Sequence, residues 1–311
     1  HVIAGHESDL LMITPGCATS LGKMVNGIGD NPPMLVALTC IGAKTPMIVA
    51  PAMDKNMSDS DIVQKNMKSV KKFANVIEPV MIEGKAKLPS KERLVAEACK
   101  MAGPKSLDRK KVLIMGGGSS EPIDDVRVIS NRSSGRMAIS LAESAFAMGA
   151  DVDLWLGNAS YEYGNWIKTT RFEALSKLRS LVKGMKRYDA IVVPAALSDF
   201  IPERAKGKLD SAKQITLKMK KTPKIINGIR KKHKGLLYVF KLGARISEKE
   251  LLAKAKVLLK NANCVIANHS KSMGSDKRKV AIVDKENIES ISGSKVEISN
   301  KILDKIASEL N

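Results

Sequence analysis

Apolar residues follow two alternating patterns along the chain: short continuous runs, and segments in which they recur every three or four positions. The continuous runs in the first hundred residues are LLMITPG (10–16) and PMIVAPAM (46–53), and such runs are typical of strands buried on both faces. Residues 58–70 begin with SDSD and continue with apolar residues at helical spacing. This predicts a capped amphipathic helix, and KERLVAEACKMA (91–102) predicts another.

The same alternation restarts after GPKSLDRKK (103–111), where Gly, Pro and charged residues together indicate a linker. The second half has further apolar runs, and its helical patterns lie at 171–186, 247–260 and 299–310. These runs are KVLIMGGG (111–118), DAIVVPAAL (189–197) and NCVIANHS (263–270). Strands that alternate with helices predict an α/β chain with an open, mostly parallel sheet in each half. We therefore expect two domains, residues 1–105 and 106–311.

The net charge limits the classes of binding partner, and the cysteine content indicates the cellular compartment. The 52 Lys and Arg residues against 32 Asp and Glu residues leave a net charge of +20, which favours phosphorylated metabolites, nucleotides or nucleic acid, or else only a solvated basic surface. The four cysteines form no CxxC pair, so neither a zinc site nor a disulfide framework is expected. Free thiols, no run long enough to span a bilayer and no secretory signal together predict a cytoplasmic protein.

A glycine triplet, Gly116 to Gly118, ends the first strand of the second half. Such a position suits close approach of the backbone to a phosphate. A dinucleotide fingerprint would open directly into a helix, whereas here a long segment with Pro122 intervenes. A nicotinamide-dependent oxidoreductase is therefore disfavoured.

That segment, GGGSSEPIDDVRVISNRSSGRM (116–137), resembles without a gap the signature GGTxExxDxVRxIxNxSSGxMG of the phosphopantothenate–cysteine ligase family. The family joins 4'-phosphopantothenate to cysteine with CTP through an acyl-cytidylate. The resemblance implies a Rossmann-like, doubly wound parallel sheet and a catalytic role for Asn131, which would hold the reacting acyl group. The residues that it implies for phosphopantothenate binding are Arg127, Asn131, Ser133, Ser134 and Gly135.

Further segments follow in the order of the same family: PAALSDF (194–200), KGKLDS (206–211), YVFKLGA (238–244) and VIANHSKSMGSD (265–276). By this resemblance Lys208 is the catalytic lysine that neutralises charge on the α-phosphate, and Mg²⁺ accompanies the triphosphate. The implied nucleotide-binding residues are Gly117, Gly118, Val193, Pro194, Ala195, Asp199, Lys208, Phe240, Asn261 and Ser275. Asp210 and Ser211 replace two lysines of the family pattern, and His269 replaces an Asp.

The first 31 residues resemble the pattern HIxLxxWADLxVIAPxSANTxxKxAxGxxDN of the FMN-dependent phosphopantothenoylcysteine decarboxylases. These precede the ligase in the bifunctional, here archaeal-like, proteins of coenzyme A biosynthesis, and they imply a flavodoxin-like domain. His1 falls on the catalytic histidine, which transfers protons. FMN would lie along Cys17, Ala18, Thr19, Ser20 and Ala52, and Asp54 would meet the substrate. The chain begins inside the family pattern, so we expect this domain to be incomplete at its N-terminal side.

Several positions in the first half depart from the decarboxylase pattern: Thr19 and Asp54 replace Asn, Ser58 replaces Trp, and the segment 80–90 is shortened and lacks the cysteine of the family's clamp. One alternative is therefore a ligase whose first domain is a degenerate dimerisation scaffold. Both families form dimers or larger assemblies, so a homo-oligomer is expected.

A second alternative is a basic nucleic-acid-binding protein, suggested by the Lys- and Arg-rich run 213–234. Because its apolar residues Ile215, Leu217 and Met219 alternate, a strand with one solvated face is the favoured interpretation. Aromatic residues are only 4% of the chain, so few rings are available to stack on single-stranded bases. We expect small-molecule substrates and neither nucleic acid nor a membrane as partners.

Overall fold

A computed structural model describes residues 1–161, 166–210, 212, 214–269 and 278–311. The chain forms two compact units, His1–Lys105 and Ser106–Asn311. Each has its own hydrophobic core of buried aliphatic side chains. Within these described ranges, every helix is too short or too polar to cross a bilayer.

The His1–Lys105 unit is built on a parallel sheet of three strands in the order β1-β2-β4. Its strands are β1 (Leu11–Gly16), β2 (Met47–Pro51), β3 (Met53–Asp54), β4 (Asn75–Val76), β5 (Val80–Ile82) and β6 (Lys85–Lys87). Its helices are α1 (Val2–Glu7), α2 (Ala18–Asn26), α3 (Pro32–Ala43), α4 (Lys55–Asp59), α5 (Asp61–Val70) and α6 (Lys91–Ala102). The two apolar runs form β1 and β2, as predicted.

The predicted helix in residues 58–70 is present as α5, and its cap is Ser60, whose hydroxyl accepts the Val63 amide at 3.4 Å. The short strands β3, β6 and β5 form a separate antiparallel sheet that contacts α4. Glu83 and Gly84 both have positive φ, which is the geometry of a tight two-residue hairpin turn. This β5–β6 hairpin occupies the segment 80–90 and places Lys85 directly opposite Asp54 of β3.

The Ser106–Asn311 unit contains one eight-stranded sheet in the order β11-β10-β7-β12-β15-β16-β17-β18. Its strands are β7 (Lys111–Gly116), β10 (Asp151–Leu156), β11 (Thr169–Arg171), β12 (Ala190–Val193), β15 (Leu236–Gly243), β16 (Cys264–His269), β17 (Arg278–Val283) and β18 (Ile288–Gly293). The first six in spatial order are parallel and follow the Rossmann order 3-2-1-4-5-6. The antiparallel edge of β17 and β18 was not predicted from the sequence.

Helices cover both faces of this sheet, which confirms the doubly wound α/β fold. One face packs against α7 (Arg136–Ala147) and α11 (Lys295–Leu310), and the other against α8 (Leu175–Lys183), α9 (Ile225–Lys232) and α10 (Glu248–Leu258). Along β7, Val112 and Ile114 point into the first of these layers while Leu113 and Met115 point into the second. Because alternate residues of a strand face opposite sides, a strand buried on both faces has to be apolar throughout.

Two small antiparallel ladders lie outside the large sheet: β8 (Ser120–Pro122) with β9 (Val128–Ser130), and β13 (Phe200–Pro202) with β14 (Met219–Lys221). The prediction of a half-buried strand around Ile215 and Leu217 is wrong. Neither residue belongs to a strand, and Ile215, Leu217 and Met219 are all exposed. Only Met219 lies in a strand, and the two-stranded β13–β14 ladder has no second layer to bury its apolar face.

Candidate active site

The carboxyl ends of β7 and β12 meet where the strand order of the large sheet reverses, which is where open α/β sheets bind ligands. The loop after β7 is fastened on both sides by main-chain hydrogen bonds. The Gly118 amide donates to the Asn158 carbonyl at 2.8 Å, and the Ala196 amide donates to the Gly117 carbonyl at 2.8 Å. These bonds hold the loop Gly116 to Gly118, which we call the glycine floor, in place between the loops that follow β10 and β12.

Glycine is required on this floor. Gly117 has φ +74°, and a Cβ there would lie 2.9 Å from the Asn158 carbonyl oxygen. At Gly118 a Cβ would lie 3.1 Å from the Asn131 carbonyl oxygen. Both close neighbours are main chain, so they have little freedom to move aside.

Asn131 extends across the floor. Its side-chain Nδ2 donates to the Ala196 carbonyl oxygen at 3.1 Å, which ties the loop after β9 to the loop after β12. The acceptor is a carbonyl, so the nitrogen must be the atom that faces it, and the amide oxygen is left for another partner. Asn131 is itself exposed. The structure thus brings Asn131 together with Gly117, Gly118 and Ala196 in one place.

Helix α7 begins beside this floor without a side-chain cap. Its N-cap is Gly135, with φ +73°, and a Cβ there would lie 2.6 Å from Ala159 Cβ. The amides of the first turn therefore lack the usual hydroxyl or carboxylate acceptor, and the preceding Ser133 and Ser134 are partly or fully exposed. The Arg136 guanidinium stacks over the Tyr161 ring at 4.7 Å, so this helix start carries added positive charge. The site suits an anion.

Two buried polar residues of the signature act as internal ties. Ser119 Oγ accepts the Ser198 amide at 3.1 Å, and Glu121 Oε1 accepts the Leu175 amide at 3.1 Å. Each side chain links the segment after β7 to an element further along the chain. Sequence reasoning assigned neither residue a role, because nothing local indicates a partner so distant in the sequence.

Arg127 contacts protein atoms. Its Nη2 donates to the Leu209 carbonyl oxygen at 3.2 Å, and its Nη1 lies 3.6 Å from the Asp124 carboxylate. Asp124 belongs to the signature segment 116–137, and the structure buries it. Hydrogen bonds from the main-chain amides of Val126, Arg127 and Leu209 hold the pKa of its carboxyl below the usual value. Lys208 precedes Leu209 and is exposed.

The other residues predicted for the nucleotide fall at different places. Val193 ends β12, and Pro194 and Ala195 continue it toward the floor. Asp199 forms an ion pair with Lys224 beside the β13–β14 ladder. Phe240 is half-buried in the middle of β15.

Asn261 lies at the opposite edge of the sheet, before the amino end of β16, where its Nδ2 donates to Asn227 Oδ1 at 3.1 Å. It lines a cavity of about 310 Å³ together with Arg230, Lys260 and Asp284. Asn261 was expected at the nucleotide only from the family resemblance, whereas its position before β16 places it away from the carboxyl ends of the parallel strands. Ser275 lies outside the described residues.

The residues predicted for FMN lie at the carboxyl ends of β1 and β2. Cys17 caps α2: its Sγ accepts the Ser20 amide at 3.5 Å and lies 3.2 Å from Ser20 Oγ. The Ser20 hydroxyl is the main cause that lowers the pKa of the Cys17 thiol. The Ala52 amide donates to the Gly16 carbonyl at 3.4 Å, so the two connections run side by side. Cys17 and Thr19 are exposed there.

Asp54 and His1 are placed by other elements. Asp54 caps α4, accepting the Asn56 amide at 2.9 Å, and is the register partner of Lys85 on the hairpin. His1 is the N-cap of α1, whose Gly5 packs against Thr39 of α3.

Two family profiles match the chain. The family described as DNA/pantothenate metabolism flavoprotein C-terminal domain matches residues 107–310. The family described as Flavoprotein matches residues 1–103. The two matches together span both compact units.

Known relatives match across both units. The coenzyme A biosynthesis bifunctional protein CoaBC of Thermococcus kodakarensis is 37% identical over 289 residues, covering 90% of this chain and 71% of that protein. The protein of the same name from Methanocaldococcus jannaschii is 35% identical over 315 residues, covering 98% and 77%. A cysteine/cysteine sulfinic acid decarboxylase from an unknown prokaryotic organism is 32% identical, covering 92% of this chain and 85% of that protein.

Among solved structures, the C-terminal domain of a coenzyme A biosynthesis bifunctional protein CoaBC superposes with a TM-score of 0.55. It is 25% identical, and the match covers 66% of this chain and 98% of that one. The superposition and the profile that matches residues 107–310 agree on the family of the larger unit.

Proposed function

Because this chain belongs to the family of the coenzyme A biosynthesis bifunctional proteins, we propose that each of its two units catalyses one step of that pathway. The Ser106–Asn311 unit is the ligase domain, which joins 4'-phosphopantothenate to cysteine with CTP. The His1–Lys105 unit is the decarboxylase domain, which removes CO₂ from the phosphopantothenoylcysteine formed. The observation that carries the ligase assignment is Asn131, tied to Ala196 over the glycine floor and beside the uncapped start of α7.

The ligase step needs positive charge and hydrogen-bond donors around crowded anions. A carboxylate oxygen of phosphopantothenate attacks the α-phosphate of CTP, and pyrophosphate leaves. The cysteine amine then attacks the acyl carbon, and CMP leaves. Lys208 neutralises the charge that develops on the α-phosphate, and Asn131 holds the acyl group. The open amides of α7, with Ser133 and Ser134, receive the phosphate of phosphopantothenate.

Mg²⁺ accompanies the nucleotide as part of the substrate complex. No group of three or more His, Cys, Asp or Glu side chains converges within the described residues. Mg²⁺ keeps several waters and commonly binds substrate phosphates with only one or two carboxylates. We therefore assign its coordination to the triphosphate oxygens and water.

The residues at the carboxyl ends of β1 and β2 fit FMN. A Cβ at Gly16 would lie 2.7 Å from Val49 Cγ1, so glycine allows the two strands to approach closely. The start of α2 offers main-chain amides and the side chains of Thr19 and Ser20, and Ala52 comes next to it from β2. When bound, FMN would accept two electrons from the substrate thiol carbon and return them after CO₂ has left. His1 transfers the proton, and Asp54 contacts the substrate.

The relative named as a cysteine/cysteine sulfinic acid decarboxylase suggests a second candidate for the first unit, decarboxylation of a smaller cysteine compound. The whole ligase signature between Gly117 and Met137 favours phosphopantothenoylcysteine, because that product would be made by the same chain. We also propose that the protein works in the cytoplasm, in keeping with free thiols at Cys17, Cys40, Cys99 and Cys264. We further propose that it forms a homo-oligomer.

One incubation tests both activities. The protein is mixed with 4'-phosphopantothenate, cysteine, CTP, Mg²⁺ and FMN, and products are followed by mass spectrometry. We expect phosphopantothenoylcysteine, CMP and pyrophosphate, and then the product lighter by CO₂. Parallel reactions replace CTP by ATP, or supply cysteine alone.

Each of the other results has a definite meaning. Ligation without loss of CO₂, in a protein that stays colourless after addition of FMN, would favour a scaffold role for the first unit. Loss of CO₂ from cysteine alone would favour the smaller substrate. No product at all, together with salt-sensitive binding of unrelated DNA duplexes, would favour the nucleic-acid alternative.

A further inference from the structure

Main-chain and carboxylate hydrogen bonds join two segments that are far apart in the sequence, residues 123–127 and 205–207. The Ala205 amide donates to the Ile123 carbonyl at 2.9 Å. The Gly207 amide donates to the Asp125 carboxylate at 3.1 Å, and the Asp125 amide donates to the Gly207 carbonyl at 3.3 Å. These bonds dock the main chain of residues 205–207 on the turn formed by residues 123–127.

Leu209 is held on both sides of its peptide unit. Its amide donates to Asp124 Oδ2 at 3.1 Å, and its carbonyl oxygen accepts Arg127 Nη2 at 3.2 Å. The Asp124 carboxylate is itself fixed, because its other oxygen accepts the Val126 and Arg127 amides at 2.8 and 2.6 Å. Asp124 and Arg127 therefore act together on one residue.

Lys208 stands between the two anchored residues, Gly207 and Leu209. Its side chain is exposed and forms no ion pair with the described residues, so its position depends on the main chain that carries it. A group that acts on a developing charge has to be held close to its final place, since a displacement of about 1 Å costs roughly 10²-fold in rate. The bonds to Leu209 supply this constraint.

We propose that Asp124 and Arg127 are positioning residues that orient Lys208 for the transfer of the nucleotide. This rests on the proposed ligase function, in which Lys208 acts at the α-phosphate. It also changes the role expected for Arg127. With Nη2 on Leu209 and Nη1 beside Asp124, the guanidinium serves the Lys208 loop and is not the ligand of the substrate phosphate.

Asp124→Asn separates this role from folding of the turn. The amide oxygen takes the place of Oδ1 and still accepts the two turn amides, whereas the amide nitrogen faces the Leu209 amide, donor against donor. Arg127→Lys removes the fork that reaches Leu209 and Asp124 while it keeps the positive charge. Asp108→Asn and Arg109→Lys are matched controls, because Asp108 and Arg109 form an exposed pair at 3.6 Å near the amino end of β7.

The kinetic test compares 4'-phosphopantothenate with pantothenate, which lacks the phosphate. Positioning predicts that kcat for acyl-cytidylate formation falls on the order of 10²-fold in both variants. KM for each substrate should stay within about twofold, and the preference for the phosphorylated substrate should be unchanged. If Arg127 instead binds the phosphate, KM for phosphopantothenate rises and the preference collapses in Arg127→Lys, which overturns the proposal.

A second measurement does not depend on catalysis. Hydrogen exchange at the Leu209 amide should speed up in Asp124→Asn, while peptides from β7 and β12 keep the wild-type rates. Unchanged exchange in residues 204–210 would refute the anchoring itself. If the wild-type protein makes no acyl-cytidylate, the ligase proposal fails, and the exchange result still decides whether Asp124 holds this loop.

Discussion

The side-chain amide of Asn131 donates a hydrogen bond to the main-chain carbonyl of Ala196, 3.1 Å away across the point where the strand order reverses. This bond joins the signature segment to the loop after β12. It fixes the nitrogen end of the Asn131 side-chain amide and leaves the oxygen for another partner.

Replacement Asn131→Asp should slow ligation strongly. A carboxylate oxygen would face the Ala196 carbonyl, acceptor against acceptor, and its charge would repel an anionic substrate. We expect the rate of product formation to fall by roughly 10²-fold or more, by analogy with the loss of one positioned donor. Asn311→Asp is the matched control, since Asn311 lies at the C-cap of α11. Near-normal turnover of Asn131→Asp would remove Asn131 from the catalytic role.

Replacement Lys208→Ala should eliminate acyl-cytidylate formation without unfolding the protein. Lys208 is exposed, and exposed substitutions usually change the free energy of unfolding by less than about 0.5 kcal/mol. Lys206→Ala is the control, because Lys206 is also exposed and lies two positions away on the same loop. Pyrophosphate release gives the rate and thermal denaturation gives the stability. Equal losses in both variants would show that only the charge of the loop matters.

Gly117→Ala should destabilise the ligase unit more than Gly207→Ala does. Both glycines have positive φ, which costs alanine about 1–2 kcal/mol. Only at Gly117 would the new Cβ meet main-chain atoms at 2.9 Å, whereas at Gly207 there is open space. Urea unfolding followed by tryptophan fluorescence reports this unit alone, because Trp155 and Trp166 both lie in it. An equal loss of unfolding free energy in both variants would mean that the main chain around Gly117 moves to make room for the new Cβ.

The stability of the ligase unit should fall on acidification, in part through Asp124. Hydrogen bonds from the Val126, Arg127 and Leu209 amides lower its pKa in the folded state, so below about pH 4 the unfolded chain binds the proton more readily. The stabilisation is therefore present above the unfolded pKa and is lost as pH falls through the lower folded pKa. Asp124→Asn should flatten this acid limb in urea unfolding measured between about pH 3 and 6.

Some acid dependence should remain in that variant. In Asp153 and Asp284 burial alone would raise the pKa, but hydrogen bonds that include the ion pairs with Lys168 and Lys305 keep it below the usual value. An unchanged acid limb in Asp124→Asn would contradict the hydrogen-bond pattern around Asp124.

Cys17 should react with iodoacetamide faster than Cys99, although both thiols are exposed. The hydrogen bond with the Ser20 hydroxyl is the main cause that lowers the pKa of Cys17, so more thiolate is present at neutral pH. Ser20→Ala should move the pH midpoint of the reaction upward. FMN should protect Cys17 and leave Cys99 unaffected. Equal protection of both thiols, or of neither, would argue against the flavin site at the start of α2.

Local patterns were sufficient for most of the elements and for the family. The run VLIMG (112–116) is apolar at every position because residues of β7 face helices on both sides, and so it predicted a buried strand correctly. Helix α10 begins after Ser247, whose hydroxyl accepts the Glu250 amide. This cap involves residues only three positions apart, so the local sequence indicates it. The signature around Asn131 is likewise contiguous. Such features depend on residues a few positions apart, which is the range over which a sequence can be interpreted directly.

Contacts between distant segments were decided only by the tertiary structure. Asp124 and Leu209 are 85 residues apart, and Asn131 and Ala196 are 65 apart. Which residues meet at that range depends on the order and direction of the strands, and hydrophobic periodicity carries no information about strand order. For the same reason Arg127 was expected at a phosphate, although it donates to the Leu209 main-chain carbonyl, 82 residues away and next to Lys208. Any residue could supply such a carbonyl, so the sequence does not indicate this contact.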